Sequence, residues 1–289
     1  MLLPDVPQQE CLESLAWTVR SIAVDTFRTG CTARRFRHPL KLPTFQATRQ
    51  QWEGDIPFFR DMCADATGDV LELMSGTGRV SLPLLRAAVP LTCVDYSAEM
   101  LRVLSQRLKA ENLIADLHEQ DVRALDVGRF FDLVLLPFHS FSEIVDPNDR
   151  ALALRAIRRH LARQGRLIIT LHNPVVQIPS LDGMRRKLCE RPIPDRNAVL
   201  RFWFTARYHA GAAVAEAHQE YEILGLDGCL LEKRELDLHF AIIGREEFEK
   251  QAGACGLRIL RMWGDYSRNP FQPATSPFMI WELGSEPSS

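Results

Sequence analysis

Val70-Leu71-Glu72-Leu73-Met74-Ser75-Gly76-Thr77-Gly78-Arg79-Val80-Ser81 is the stretch whose reading decides the fold of this chain. A short apolar run with one acid breaks into a Gly-x-Gly turn, then continues as Arg79-Val80-Ser81-Leu82-Pro83-Leu84-Leu85. That order reads as a buried strand, a tight loop and a helix start. Glycines in such a loop take positive φ and let a ligand lie against the main chain, while N–H groups at a helix start face whatever polar group lies there. Seventeen residues after Gly78, the segment Thr92-Cys93-Val94-Asp95 reads as a second strand ending in a carboxylate. An acid at that place is the usual partner of a ribose diol in an α/β nucleotide site. Strand, loop, helix and downstream acid together are far more specific than Gly-x-Gly alone.

Two cofactors fit that layout. A nicotinamide site asks for Gly-x-Gly-x-x-Gly/Ala, and its third position here is Ser81. A short-chain dehydrogenase would add Tyr-x-x-x-Lys, but Tyr96, Tyr208, Tyr221 and Tyr266 are followed four places on by Met100, Ala212, Gly225 and Pro270. The run from Glu72 to Gly78 instead resembles motif I of the class I S-adenosylmethionine (SAM) methyltransferases, acidic-x-Gly-x-Gly-x-Gly, with Met74 standing where the first glycine is expected. Three further segments resemble the same family: Asp95-Tyr96-Ser97-Ala98-Glu99-Met100, Glu119-Gln120-Asp121-Val122, and Phe131-Asp132-Leu133-Val134-Leu135-Leu136-Pro137-Phe138-His139. The resemblance implies a SAM site built on Glu72, Met74, Gly76 and Gly78. It places Asp95 on the ribose hydroxyls, Tyr96 and Met100 along the adenine, Asp121 on the adenine amino group and the Val122 N–H on a ring nitrogen. Phe138 would lie in the turn where the methyl group meets its acceptor.

Composition narrows the class. An apolar content of 46% in 289 residues supports a sizeable core, and a net charge of −2 with a pI near 6.5 argues against a general nucleic-acid grip. Basic runs at Arg34-Arg35-Phe36-Arg37-His38 and Arg185-Arg186-Lys187 read as solvated faces. The seven cysteines lie 20 or more residues apart without Cys-x-x-Cys, so reduced thiols, a cytoplasmic setting and no metal site are expected. No apolar run approaches the roughly 18 residues of a membrane span, and no charged start with an apolar core marks a signal peptide.

Along the chain, residues 1–65 read as a helical N-terminal cap. Leu12, Leu15, Ala16, Val19, Ile22, Ala23 and Phe27 share one helical stripe, and a second helix is expected over 51–65, interrupted near Pro57. The SAM-binding core is expected over 66–173, with strands near 69–73, 91–95, 115–119, 131–136 and 166–172, and helices near 79–88, 97–110 and 149–163. Gly165 reads as the C-cap of the last of these helices. The rhythm then changes to Val199–His209, Ala213–Leu224 and Cys229–Phe240, an antiparallel three-stranded insertion on the substrate side within 174–242. Residues 243–289 return to the core with a helix at 245–254 and strands at 257–263 and 278–283. The fold expected is α/β: a Rossmann-like seven-stranded methyltransferase sheet with an antiparallel β insertion and a helical N-terminal cap. Such an insertion is similar to that of the small-molecule members of the family, glycine and amino-sugar N-methyltransferases. Those relatives often carry tyrosines before motif I. This chain has none before Tyr96, so such a role would fall to Trp52 or Phe58.

In an open α/β sheet, ligands sit beyond the carboxyl ends of the strands. His139 and His172 end the fourth and fifth strands, where an imidazole titrating near neutrality suits proton removal from an acceptor. Asn173 is placed to orient a substrate amine or carboxylate, and Glu143 lies one turn beyond Ser140. The Leu135-Leu136-Pro137-Phe138 segment lacks the Asn/Asp that base-modifying amino-methyltransferases use there, and no cysteine follows a proline. The expectation is therefore methyl transfer to a nitrogen or oxygen of a small metabolite. One alternative is attack by the cofactor's own α-amine, closing azetidine-2-carboxylate and releasing methylthioadenosine. A non-enzymatic SAM sensor is the other.

Overall fold

The structure is a computed structural model that describes residues 54–193 and 196–286. The expected stripe at 12–27, Trp52 and the first residues of the second helix lie outside the described residues. Two compact units are present: one comprises, among described residues, 54–176 and 241–286, the other 177–193 and 196–240.

The larger unit holds a seven-stranded sheet. Its elements are α1 (Ile56–Ala64), β1 (Val70–Leu73), α2 (Ser81–Arg86), β2 (Leu91–Asp95), α3 (Ala98–Glu111), β3 (Asp116–Glu119), β4 (Phe131–Leu136), α4 (Pro147–Arg159) and β5 (Leu161–His172). After the second unit, whose last strand ends at Ala241, come α5 (Arg245–Ala254), β10 (Leu257–Trp263) and β11 (Phe278–Ser285). The sheet order is β10-β11-β5-β4-β1-β2-β3. Strands β1 to β5 run parallel, whereas β11 is antiparallel to both β5 and β10. β1 lies between β4 and β2, and all four of its residues are buried; burying each of its leucines stabilises the fold by about 2 kcal/mol. Leu71, Leu73, Val134, Leu136, Leu167, Ile169, Met279 and Trp281 form the core with Ile157 of α4 and Phe248 of α5.

Element ends follow local chemistry. Ser97 caps α3 by accepting the Met100 N–H at 3.3 Å, and Asn112 closes it in the left-handed conformation. α1 begins at Ile56 with Pro57 in its first turn. Pro57 therefore does not interrupt a longer helix, because the first turn needs no amide donor there. α4 ends at Arg159 and Gly165 lies inside β5, not at the helix C-cap. A side chain at Gly165 would meet the Phe131 carbonyl at 2.6 Å, so close approach of β4 explains that glycine.

The smaller unit is a sheet of four strands, β6 (Arg186–Ile193), β7 (Ala198–His209), β8 (Val214–Gly225) and β9 (Leu230–Ala241), in that spatial order. The expected insertion had three strands. β6 was missed because Arg186-Lys187-Leu188-Cys189-Glu190-Arg191-Pro192-Ile193 looks like a solvated basic run. Charge and proline are, however, what an edge strand tolerates.

Candidate functional site

The parallel strands bring their carboxyl ends to one edge of the sheet, and the loops leaving β1, β2, β4 and β5 carry the site. The Ser75 N–H donates to the Val94 carbonyl and the Gln120 N–H to the Asp95 carbonyl, so the ends of β1, β2 and β3 stand side by side.

Glycine and its stand-in shape the first loop. Met74, Gly76 and Gly78 have φ of 54°, 56° and 85°. Met74 thus occupies the backbone geometry for which the family motif uses glycine, at a cost of about 1–2 kcal/mol. A Cβ at Gly78 would lie 2.4 Å from the Leu104 side chain, whereas a Cβ at Gly76 would meet nothing within 4 Å. Gly76 thus faces open space, and its N–H donates to Asp95 Oδ2 at 2.7 Å. Asp95 Oδ1 accepts from the Ser97 N–H at 2.9 Å. Burial pushes the Asp95 carboxyl up to about 6 despite these two donors. Burial likewise pushes Glu72 up to about 8, with the Ser81 hydroxyl, which donates to it at 2.6 Å, acting in the opposite direction. Glu72 therefore carries a proton at neutral pH.

The remaining expected cofactor residues lie in the adjoining loops. Met100 is buried on the first turn of α3, and Tyr96 sits between Asp95 and the Ser97 cap. Asp121 caps the short 3₁₀ turn Val122–Ala124, where Val122 is buried. Its carboxylate accepts from the Arg123 N–H and guanidinium, which hold it below the usual carboxylate range. Asp121 is thus already engaged by a cation.

On the acceptor side, Phe138 and His139 take φ of 65° and 61°, two successive left-handed residues after Pro137. Their turn lays the His139 ring against His172, with centroids 3.6 Å apart and planes at 20°. Both histidines are buried. Burial, then the neighbouring His172 and Arg79, holds His139 well below the ordinary imidazole range, and burial brings His172 down to about 3. Burial thus opposes the charged form of both rings, against the expectation that they titrate near neutrality.

Asn173 is engaged within the fold. Its Nδ2 donates to the Pro273 carbonyl at 2.9 Å and the Ser276 carbonyl at 2.8 Å, and its Oδ1 accepts the Val175 N–H. That amide anchors the loop before β11, which leaves one lone pair of Oδ1 for a substrate. Glu143 is half-buried in the turn Ser140–Glu143. Phe58 packs edge-on against Phe59, Trp263 and Tyr266, as part of an aromatic cluster.

Four polar residues were not foreseen. Arg79 makes a two-point ion pair with fully buried Asp55, at 2.7 and 2.5 Å, and stands 4.1 Å over the Phe138 ring. The Tyr266 phenol is pushed up by burial and then by the charge of Asp55. Thr170 Oγ1 accepts the His139 N–H. A basic residue directly after the glycines was the one available signal for Arg79. Asp55 and Tyr266 reach the site only through the tertiary fold.

Residues 70–165 match the family model described as a methyltransferase domain. The matched segment runs from β1 into β5 and so contains the glycine loop, Asp95, Asp121 and His139. A Bacillus subtilis protein, YqeM, named provisionally as a methyltransferase, is 29% identical over 107 residues, 37% of this chain and 43% of that relative. The match thus spans less than half of the curated relative's length. Among solved structures, a SAM-dependent methyltransferase from Clostridium acetobutylicum superposes with a TM-score of 0.69 at 19% identity, covering 83% of this chain and 94% of the other. The sugar N-methyltransferase KedS8 from Streptoalloteichus gives a TM-score of 0.69 at 17% identity, covering 89% and 98%.

SAM is the cofactor that the resemblance of the glycine loop implies, and the residues present fit it. Ser75 Oγ and the Tyr96 hydroxyl are buried with no hydrogen-bond partner among the described residues, and a Cβ at the neighbouring Gly76 would meet none of those residues within 4 Å. Unpaired buried polar atoms are costly, so a polar ligand at this place would satisfy them.

Proposed function

We propose that this chain is a SAM-dependent methyltransferase acting on a nitrogen or oxygen of a small metabolite. The observation that carries the proposal is the Asp95 carboxylate, buried at the end of β2 and aimed at the open Gly76 loop. When bound, SAM supplies a methyl group activated by its sulfonium. Asp95 would accept the ribose hydroxyls at its remaining lone pairs, and Tyr96 and Met100 would flank the adenine. Glu72, Gly76 and Gly78 would shape the wall of the site, with Asp121 and the Val122 N–H at the far end of the base. An acceptor must then lie about 3 Å from the methyl carbon, in line with the departing sulfur. The stacked His139 and His172 are the residues proposed to hold it there, as neutral hydrogen-bonding and packing groups. An amine would have to arrive neutral or lose its proton to solvent, because both imidazoles are poor bases.

A small acceptor is supported by the near-zero net charge of the chain and by a sugar N-methyltransferase among the structures that share its fold. The purified protein is incubated with SAM, alone and with panels of amino sugars, amino acids and hydroxylated metabolites, and the products are read by mass spectrometry. S-adenosylhomocysteine formed only with an acceptor is the expected result. Methylthioadenosine rising above the spontaneous background without an acceptor would overturn it in favour of ring closure. SAM binding with no turnover across the panels would leave a sensor as the better reading.

A further inference from the structure

Two adjacent non-glycine residues in the left-handed region, Phe138 and His139, cost about 1–2 kcal/mol each, so the turn persists only where its surroundings over-determine it. Several contacts among the described residues do so here, and four bear on the argument. The His139 N–H donates to Thr170 Oγ1 at 3.2 Å. The Ser142 N–H donates to the His139 carbonyl at 2.9 Å. The His139 ring lies on His172, and the Phe138 ring lies under the Arg79 guanidinium. Only the last of these comes from the loop that carries the glycines, since Arg79 directly follows Gly78. The guanidinium is fixed in turn by both oxygens of Asp55, which has no exposed surface.

The geometry points to Arg79 as a positioning residue: clamped by Asp55 and laid over Phe138, it ties the cofactor loop to the acceptor turn and holds His139 against His172. This rests on the proposed function, in which SAM lies at the first loop and the acceptor at the second. Arginine suits the task where lysine does not. A planar guanidinium can pair with a carboxylate at two points while presenting a face to an aromatic ring, whereas an ammonium is a point charge. Occupancy of one loop would then be felt at the other through one rigid side chain, without displacement of a strand.

R79K, F138L and D55N separate this role from a general contribution to stability. R79K keeps the charge and loses the planar face; F138L keeps the bulk and loses the ring; D55N keeps the shape and weakens the clamp. Hydrogen exchange of the 137–142 amides is compared with that of β1 and β5, and the ring-proton signal of His139, assigned with H139Q, reports its stacking. SAM affinity is read by calorimetry. In R79K and F138L, exchange over 137–142 should rise at least about tenfold and the His139 signal should move toward that of an unstacked ring. Exchange in β1 and β5 should stay put, and SAM affinity should change less than about threefold. D55N should show the same pattern more weakly. An unmoved His139 signal with unchanged exchange at the turn would overturn the proposal, as would a rise in exchange spread evenly over β1 and β5. Failure of the wild-type chain to bind SAM would sink the functional reading separately, because the turn's dependence on Arg79 is measured without cofactor.

Discussion

A carboxylate buried without a cation must be satisfied by hydrogen bonds or by a proton, and Asp95 draws on both. Its two oxygens take the Gly76 and Ser97 amides, and burial still lifts it to about 6. Such a group is primed for hydroxyl donors, which can bind at the remaining lone pairs. Asp95→Ala should weaken SAM binding by about 2–3 kcal/mol, the worth of two hydrogen bonds to a charged acceptor. Calorimetry giving wild-type affinity in that variant would remove Asp95 from the site. Met74 is informative in another way. A long side chain holds a backbone conformation that glycine adopts freely, so Met74→Gly should keep the loop's shape. Relief of strain and the greater freedom of unfolded glycine nearly offset each other, leaving stability within about 1 kcal/mol of wild type. A larger loss in denaturant titration would mean that the methionine side chain contributes packing as well.

At the scale of elements, the two loop glycines answer to different constraints. A Cβ at Gly78 would sit against Leu104 of α3, whereas one at Gly76 would meet nothing within 4 Å among the described residues. Gly78→Ala should therefore destabilise the protein by roughly 2–3 kcal/mol through clash and strained φ together, and Gly76→Ala by about 1 kcal/mol through φ alone. Thermal unfolding distinguishes them, and equal losses would contradict the packing argument. Asn173→Ala should cost about 2–3 kcal/mol by orphaning two carbonyls and one amide near β11, with SAM affinity unchanged. A drop in affinity without a drop in stability would restore it to the ligand site. These cases also show what was legible beforehand. The strands of the seven-stranded sheet announced themselves as short apolar runs, and β11 closed the sheet as expected, since both signals are local. β6 was hidden by its charges, and Gly165 looked like a helix cap because sequence does not reveal the approach of a neighbouring strand. His139 and His172 were correctly placed at adjacent strand ends. Their burial, and so their lack of basicity, depends on Phe138, Phe278 and Arg79 packing around them, which no spacing encodes. The bonds of Asn173 to the loop before β11 were not legible for the same reason.

The whole molecule registers these buried groups as a dependence of stability on pH. Glu72 is raised from 4.5 to about 8, so its protonated form is favoured by folding; that contribution is complete below pH 4.5 and is lost as pH rises through 8. Asp95, raised from 3.8 to about 6, loses its smaller contribution over that lower interval. The histidines act in the opposite direction. His172, lowered from 6.5 to about 3, and His139, lowered with it, favour the fold above pH 6.5 and oppose it as pH falls toward 3. Between about pH 4.5 and 6 the acids and the histidines largely offset each other. Above pH 6.5 the histidines are neutral in folded and unfolded chains alike, Asp95 is mostly ionised in both, and among these four groups Glu72 still differs. Stability should therefore fall between pH 6.5 and 8, at no more than about 1.4 kcal/mol per unit for one proton. Glu72→Gln imitates the protonated acid and keeps an acceptor for the Ser81 hydroxyl, so it should flatten this slope by more than half while leaving stability at pH 5 nearly unchanged. Urea titrations of both proteins at pH 5, 6.5 and 8 provide the comparison. A Glu72→Gln protein that keeps the full slope would show that the proton released above pH 6.5 comes from elsewhere, and that Glu72 is ionised beside the cofactor loop.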